Sequence, residues 1–164
     1  MLHWKPASLA EMPFRQALLG DPATMAYNAP WAPPDGCLDF PPARWSAWLE
    51  KWADHAPERF CAYLFTPQGQ AVGEISWHDY GQEIGTVIHA DHRGKGYGLE
   101  GLQLLIALAF RHPEIDCLWN NFEATRTPAL LTHQKAGFEV VEETDGMLRL
   151  RLTRERWLQN KNVR

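Results

Sequence analysis

The chain has few cysteines, no long apolar run and no excess of positive charge. Cys37, Cys61 and Cys117 are odd in number and widely spaced, a pattern that fits neither a disulfide framework nor a zinc site. The longest apolar stretch, residues 104–110, is far too short to cross a bilayer. The net charge of -4 gives no broad basic surface for a phosphate backbone. We therefore expect reduced thiols, no metal site, and neither a membrane nor a nucleic acid as partner.

The length of the chain indicates the number of domains, and its first twenty residues bear on the cellular compartment. Lys5, Glu11 and Arg15 interrupt the apolar positions at the start of the chain, which does not resemble a secretion signal, so we expect a cytoplasmic protein. The 164 residues are the size of one domain and suffice for a real core. We expect residues 1–164 to form a single unit.

Hydrophobic periodicity predicts alternating strands and helices. Three consecutive strands joined by short links favour an antiparallel meander. A helix begins near Ser8, with Glu11 completing a capping box, and ends at Gly20-Asp21-Pro22. Thr127 is expected to cap a later helix that ends at Gly137. The remaining predicted helices span residues 43–55 and 98–112, and the predicted strands span residues 2–5, 59–66, 71–79, 83–90, 117–122, 138–142 and 147–153.

Prolines and aromatic residues dominate residues 27–42, which predicts a rigid loop. The helix that follows places Trp45, Trp48, Leu49 and Trp52 on one face. Such a stripe is typical of core packing, and the alternative is that part of it lines a substrate pocket.

A glycine-rich turn at residues 93–98 lies between a predicted strand and a predicted helix. Gly94, Gly96 and Gly98 allow a tight backbone, so that successive amide groups and the positive end of the helix can converge on an anion. Arg93 and Lys95 add positive charge beside them. The alternative is a basic turn that merely connects two elements.

Two other phosphate-binding motifs bear on the same turn. Residues 96–101 also satisfy the G-x-G-x-x-G pattern of dinucleotide-binding folds. Such a fold needs an acidic residue at the end of the next strand, and Asp116 precedes that strand instead. The antiparallel meander upstream also argues against a doubly wound sheet. A P-loop is excluded, because the sequence contains no G-x-x-x-x-G-K-(S/T).

The order of elements and this turn make the chain resemble the GNAT superfamily of N-acetyltransferases. Residues 93–98 match its (Q/R)-x-x-G-x-(G/A) signature, and Ile88-His89-Ala90 stands where the family often has Val-x-Pro. Residues 129–138 resemble the family's A-x-x-L-Y-x-x-x-G-F segment. The resemblance covers most of the chain. It implies an α/β fold of the α+β type, a single-domain GNAT-like fold whose mixed, mostly antiparallel central sheet of about seven strands is flanked by helices.

The resemblance implies acetyl-CoA, or a related acyl-CoA, as the co-substrate. Its pyrophosphate would lie on the amides of the turn, and its pantetheine arm would pair with the edge of the preceding strand. A bulge in that strand would leave an N–H group free to stabilise an oxyanion. The residues implied in donor binding are Ile88, His89, Ala90, Arg93, Gly94, Lys95, Gly96, Tyr97 and Gly98.

Acyl transfer to an amine needs a neutral nucleophile, a stabilised oxyanion and a proton for the departing thiolate. His133 stands where the family commonly has a tyrosine acid, and a histidine can donate a proton near neutral pH. A capping or packing role for His133 is the alternative. The candidate base is Glu83, at the strand start where some family members keep a catalytic glutamate. Glu74 is the rival base, on the strand face opposite Ile75 and Trp77.

The resemblance implies that the acceptor is a primary amine of a small molecule or peptide, and it leaves a homodimer open. Trp31 and Trp45 are expected to form one wall of its site. Asn121 stands where other family members have a glutamate and is expected to orient substrate. A CoA-binding regulatory module without efficient chemistry is the alternative function, and a nucleotide-binding oxidoreductase is a third.

Overall fold

The computed structural model describes residues 1–32 and 34–162. Pro33, which belongs to the predicted proline-rich loop, and residues 163–164 lie outside the described residues. The helices are α1 (Met12–Leu19), α2 (Pro22–Asn28), α3 (Trp45–Trp52), α4 (Tyr97–Ala109), α5 (Thr127–Ala136) and α6 (Arg154–Asn162). The strands are β1 (His3–Pro6), β2 (Phe60–Phe65), β3 (Ala71–His78), β4 (Glu83–Ile88), β5 (Cys117–Glu123), β6 (Glu139–Thr144) and β7 (Met147–Thr153).

The seven strands form two antiparallel sheets that stand side by side. The first has the order β1-β2-β3-β4 and the second the order β5-β7-β6. Strands β4 and β5 are neighbours in space, yet among the described residues no ladder of hydrogen bonds joins them. The α/β class and the mostly antiparallel sheet are confirmed. The expected central sheet is divided between β4 and β5, and we call this gap the β4–β5 opening.

One face of the first sheet packs against α4. Leu64, Ile75 and Thr86 approach the helix at Gly101, where an added Cβ would lie 2.6 Å from a methyl carbon of Leu64. Only a glycine allows α4 to lie so close to the strands. Because α4 presents leucines to both sheets, it forms the centre of the larger hydrophobic core.

The opposite face of the first sheet is covered by α1, α2 and α3, and we call it the α1–α3 face. Cys61, Tyr63 and Phe65 of β2 point to this side and pack with Met12 of α1. Glu74 lies directly opposite Tyr63 in the register and therefore shares the face. The Trp45, Trp48 and Trp52 side chains of α3 are half-buried against this second core.

Two helix starts differ from the predictions. Gly20 ends α1 as expected, but Asp21 caps a new helix because its Oδ2 accepts a hydrogen bond of 2.9 Å from the Thr24 amide. The Asp-Pro pair that marks a break is therefore also a helix start. Thr127 does not cap α5: it is the first helical residue, and Arg126 precedes it without a side-chain cap. The capping box of Ser8 and Glu11 is confirmed.

The C-terminal helix α6 was not predicted. Its sequence is strongly polar, but Arg154 at its start donates hydrogen bonds to the carbonyls of Phe110, His112 and Ile115. These contacts join parts of the chain that a local pattern does not relate. Among the described residues, no helix combines the length and apolar character needed to cross a membrane.

Candidate active site

The glycine turn lies between the end of β4 and the start of α4, as predicted. Gly94 and Gly96 have φ angles of +74° and +83°, in the left-handed region that favours glycine. An added Cβ at either position, or at Gly98, would meet no atom within 4 Å. The turn is therefore open on its outer side, where a ligand can approach the backbone.

From Gly94 onward, the amide groups of this turn have no partners in the described part of the chain. None of the amides of residues 94–99 donates to a described backbone or side-chain acceptor, and the first helical bond of α4 is donated by Glu100 to Gly96. Six successive N–H groups thus lie at the positive end of a helix of 13 residues. This arrangement fits the pyrophosphate of a nucleotide-bearing donor.

The two basic side chains of the turn behave differently. Arg93 donates hydrogen bonds of 3.1 Å to the carbonyls of Ala23 and Thr24 in α2. Thr24 in turn accepts a hydrogen bond of 2.9 Å from the amide of Ala90. Arg93 therefore fastens α2 to the turn. Lys95 is exposed and donates to the Asp91 carbonyl.

The edge of β4 leaves particular amides facing the β4–β5 opening. The His89 amide donates to Val72 in β3, so the groups of alternate residues, Thr86 and Ile88, point away from β3. Ala90 is already bonded to Thr24. Of the three strand-end residues expected to hold a pantetheine arm, Ile88 is the one whose amide faces the opening. The His89 ring lies 3.7 Å from a carboxylate oxygen of Asp21.

His133 is buried on the inner side of α5, between the rings of Phe122 and Phe138. Its Nδ1 donates to the Ala129 carbonyl at 2.8 Å, which makes Nε2 the acceptor of a 3.0 Å hydrogen bond from Asn120. Burial lowers the pKa of His133 to about 4. The imidazole is therefore neutral near pH 7, with both nitrogens engaged, and this geometry favours the packing role over proton donation.

Asn120, which the sequence analysis did not single out, shares the inner face of β5 with the buried Leu118 and Phe122. Asn121 lies on the opposite face, is exposed, and stands opposite Arg149 in the register. His133 and Asn121 are thus on different faces of β5. A side chain one position earlier in β5 makes the contact with His133.

Glu74 is held by a buried ion pair on the α1–α3 face. Its carboxylate accepts a hydrogen bond from Arg15 of α1, and only 12% of the Glu74 side chain is exposed. Arg15 also lies over the rings of Phe40 and Trp48, 5.0 Å and 4.0 Å from their centroids. Although burial opposes it, the carboxylate raises the pKa of Arg15. This arrangement favours a structural role for Glu74.

Glu83 lies across the strand pair from His78 at the far end of the same face. Its carboxylate oxygen is 3.1 Å from Nε2 of His78, and 63% of its side chain is exposed. The His78 ring meets Trp52 edge-on at 6.1 Å. A carboxylate beside an imidazole, exposed and bordered by an aromatic ring, can accept a proton from an incoming amine.

Tryptophans form an aromatic surface beside this pair. The rings of Trp48 and Trp52 stack at 5.7 Å, and Nε1 of Trp45 donates to the Phe40 carbonyl at 3.1 Å. Trp45 is half-buried in the second core, whereas Trp31 in the preceding loop is 72% exposed. The structure thus shows that the stripe packs in the second core, and the lining of a substrate pocket by its exposed edges stays a prediction.

Two residues at the opening were missed by the sequence analysis. Arg126 precedes α5, and Tyr27 lies near the end of α2, with its ring centroid 4.5 Å from the Arg126 guanidinium and 5.2 Å from that of Arg93. The chain beyond β4 and the chain beyond β5 therefore meet at Tyr27. The signal available in the sequence was weak: an arginine just before a predicted helix and a tyrosine at a loop edge.

A groove lies beside the C-terminal helix α6. It has a volume of about 590 Å³ between α4, α5 and α6, bordered by Gln103, Lys135, Trp157 and Lys161. None of the predicted site residues lines it. In the described part of the chain, no group of three or more histidine, cysteine or acidic side chains is arranged to hold a metal ion.

A divided sheet with an open amide turn at the head of α4 is an arrangement that can bind an anionic ligand beside a strand edge. Residues 1–139 match the family model described as the acetyltransferase (GNAT) domain. The chain belongs to this family, which confirms the resemblance. No curated protein matches the chain significantly.

Solved structures share the fold at low sequence identity. A spermidine N-acetyltransferase from Vibrio cholerae, in complex with CoA and spermine, has a TM-score of 0.78 and 13% identity over 96% of this chain and 98% of that chain. The spermidine/spermine N-acetyltransferase SpeG from Vibrio cholerae, in complex with manganese ions, has a TM-score of 0.74 and 11% identity over 98% of this chain and 96% of that chain. At sequence identities this low, the comparison shows only that the fold is shared.

Proposed function

We propose that this chain is an N-acetyltransferase that moves an acetyl group from acetyl-CoA to a primary amine by direct attack of the amine on the thioester. The observation that carries the proposal is the run of six amides at residues 94–99 without partners among the described residues. These groups would take the donor's pyrophosphate, and the Ile88 amide at the strand edge would bind its pantetheine arm. Family membership supports the same donor.

Glu83 is proposed as the general base, with His78 beside it. The pair is exposed and lies next to Trp52, so an amine that reaches the α1–α3 face meets an ionisable group there. Glu74 is not proposed as a base, because its carboxylate is largely buried and already accepts a hydrogen bond from Arg15. His133 is not proposed as the acid, because its buried, neutral imidazole uses its one proton in the hydrogen bond to the Ala129 carbonyl.

The proposed acceptor is a small-molecule or peptide amine. The similar structures named above are enzymes of spermidine and spermine, which are amines. On the α1–α3 face, however, Glu74 is paired with Arg15 and Glu83 with His78. The acceptor would therefore contact chiefly the aromatic surface of Trp31 and Trp45, with Asn121 orienting it from β5.

The proposal treats residues 1–164 as one acyltransferase domain that works in the cytoplasm. The three cysteines are free thiols, and Cys61 is buried. Free thiols are usual in the reducing environment of a cytoplasm. No residue in the proposed chemistry requires a metal.

The donor site is tested by CoA binding to a matched pair of glycine variants. Gly96 and Gly69 both have φ of +83° and open space around an added Cβ, but Gly69 lies in the β2–β3 turn. Each change to alanine should cost roughly 1–2 kcal/mol of stability, because a non-glycine residue is strained in this region. Titration calorimetry should show CoA affinity falling at least about tenfold for Gly96→Ala and unchanged for Gly69→Ala. Equal affinities for the two variants would contradict the proposed donor site.

A CoA-binding module without efficient catalysis is the second candidate, and the state of His133 favours it. A thiolate that leaves without a proton donor leaves slowly. Thiol release from acetyl-CoA, measured against a panel of amines, amino acids and peptides, separates the two functions. Tight CoA binding with no release for any amine would support the second candidate.

A further inference from the structure

The residues assigned above leave the departing thiolate without a proton source, and this inference rests on the proposed function. A thiol has a pKa near 8.5. A hydroxyl that can hand over its proton at the β4–β5 opening would complete the reaction. His133 is engaged at both nitrogens and is neutral.

The Tyr27 hydroxyl is buried and has no hydrogen-bond partner in the described part of the chain. Buried hydroxyls are nearly always hydrogen-bonded, so an orphan of this kind indicates a partner that binds there. Two further buried atoms without a described partner, Oε2 of Glu123 and Nε of Arg126, belong to the same corner. Arg126 joins the three, because it contacts the Tyr27 ring and lies 3.7 Å from Glu123.

Tyr27 stands where the two sheets separate. Arg93, on one side of the ring, follows β4, and Arg126, on the other side of the opening, follows β5. The same Arg93 belongs to the turn whose amides face outward. A donor that lies on those amides and enters along the edge of β4 at Ala90 would pass beside α2, which carries Tyr27.

Two positive charges lie beside the Tyr27 ring. The guanidinium groups of Arg93 and Arg126 are 5.2 Å and 4.5 Å from its centroid. The helix that carries Tyr27 is held in place, because its Thr24 is bonded to Ala90, and Arg93 is bonded to its Ala23 and Thr24 carbonyls.

The other tyrosines lack this setting. Tyr63 is fully buried beneath Glu74 and Arg15 on the α1–α3 face, and burial raises its pKa. Tyr80 is 45% exposed in the β3–β4 turn. Tyr97 is the first residue of α4 and packs against the larger core. Tyr27 is thus the tyrosine that combines an orphan hydroxyl with a place at the opening.

We propose that Tyr27 is the general acid of the acyl transfer. The amine nitrogen attacks the thioester carbonyl carbon, the carbon–sulfur bond breaks, and the sulfur takes the proton from Oη of Tyr27. The nitrogen loses one proton, to the base or to water, and the phenolate regains one from solvent. The products are the amide and the free thiol, so no oxidant or further reactant is needed.

The test compares Tyr27→Phe with Tyr80→Phe. Phenylalanine keeps the ring between the two arginines and removes an unpaired hydroxyl, so the fold should persist. Turnover should fall about a hundredfold or more for Tyr27→Phe, the range usual for loss of a general acid. Tyr80→Phe should keep the turnover of the unmodified protein.

A binding measurement checks the contact with sulfur independently of turnover. Desulfo-CoA carries a hydrogen in place of the thiol. At about pH 9, where much of the bound thiol is ionised, a hydrogen bond to the thiolate should make CoA bind roughly tenfold more tightly than desulfo-CoA. Tyr27→Phe should abolish this difference while leaving the affinity for desulfo-CoA unchanged.

Three results overturn the inference: normal turnover in Tyr27→Phe, a CoA preference that survives the change, or equal weakening of CoA and desulfo-CoA, which would make Tyr27 part of the channel wall. Failure of the proposed function looks different. In that case the unmodified protein would bind neither ligand, or would bind CoA and transfer no acetyl group to any amine.

Discussion

Acidification should destabilise the protein through His133. Burial lowers the pKa of this imidazole to about 4, against an ordinary value near 6.5. Between these values the unfolded chain binds a proton that the folded chain does not. The contribution to stability is therefore complete above about pH 6.5 and is lost as the pH falls toward 4. From about pH 7.5 to about pH 5, the linkage relation gives a loss of about 2 kcal/mol in the free energy of unfolding.

Urea denaturation of His133→Phe at several pH values isolates this contribution. At about pH 7.5 the variant should be less stable by roughly 1–3 kcal/mol, because the Asn120 amide loses its acceptor. The difference should shrink by about 2 kcal/mol toward pH 5, because phenylalanine does not titrate. His55→Gln is the matched control, because it removes an exposed imidazole whose Nε2 hydrogen-bonds, among the described residues, only to the Glu50 carbonyl. A stability difference between the unmodified protein and His133→Phe that stays constant with pH would refute the buried, neutral imidazole.

Three further predictions concern the ion pair, the α2 contact and the aromatic wall. Arg15→Met should cost several kcal/mol, roughly 3–5, because it leaves the Glu74 charge buried and unpaired, and adding Glu74→Leu should restore much of the loss in a double-mutant cycle. Arg93→Gln should speed amide hydrogen exchange in α2 and at Ala90, and unchanged exchange rates would show that this arginine does not fasten α2. Trp31→Ala should change stability by less than about 0.5 kcal/mol but alter acceptor selectivity in the amine screen, and retained selectivity would remove Trp31 from the wall.

Most strands and helices could be predicted because their periodicity is local. The alternation in residues 71–78 separates Glu74 and Ser76 from Ile75 and Trp77, and the structure places these pairs on opposite faces. Helix α2 was missed for an equally local reason. Its start, Asp21-Pro22, is a valid break and a valid helix cap, and its seven residues are too few to show a helical period. Hydrogen bonds from Arg93 and Ala90, which are distant in the sequence, stabilise the helix and so decide between a break and a helix start.

In the candidate site, too, local features could be predicted from the sequence and tertiary contacts could not. The backbone of the turn follows from its glycines, so its open amides could be predicted from residues 93–98 alone. Side-chain pairing could not. Arg15 and Glu74 are 59 positions apart, and nothing local to Glu74 indicates that a guanidinium holds it. The neutral protonation state of His133 likewise depends on burial between Phe122 of β5 and Phe138, which follows the end of α5.

Helix α2 ties the donor turn to the face where the acceptor is proposed to lie. Thr24 and the carbonyls bonded to Arg93 fix it to the turn, while Met25 packs in the core of the α1–α3 face. A ligand on the turn amides that displaces Arg93 or Ala90 must therefore also move α2, and with it Tyr27 and the loop that carries Trp31. Conversely, a donor that leaves these bonds intact finds the proposed acid and the aromatic wall already in place. Amide hydrogen exchange at Thr24 and Met25, measured with and without CoA, distinguishes these two cases. Faster exchange with CoA would mean that the donor moves α2, and unchanged or slower exchange would mean that the donor site is preorganised.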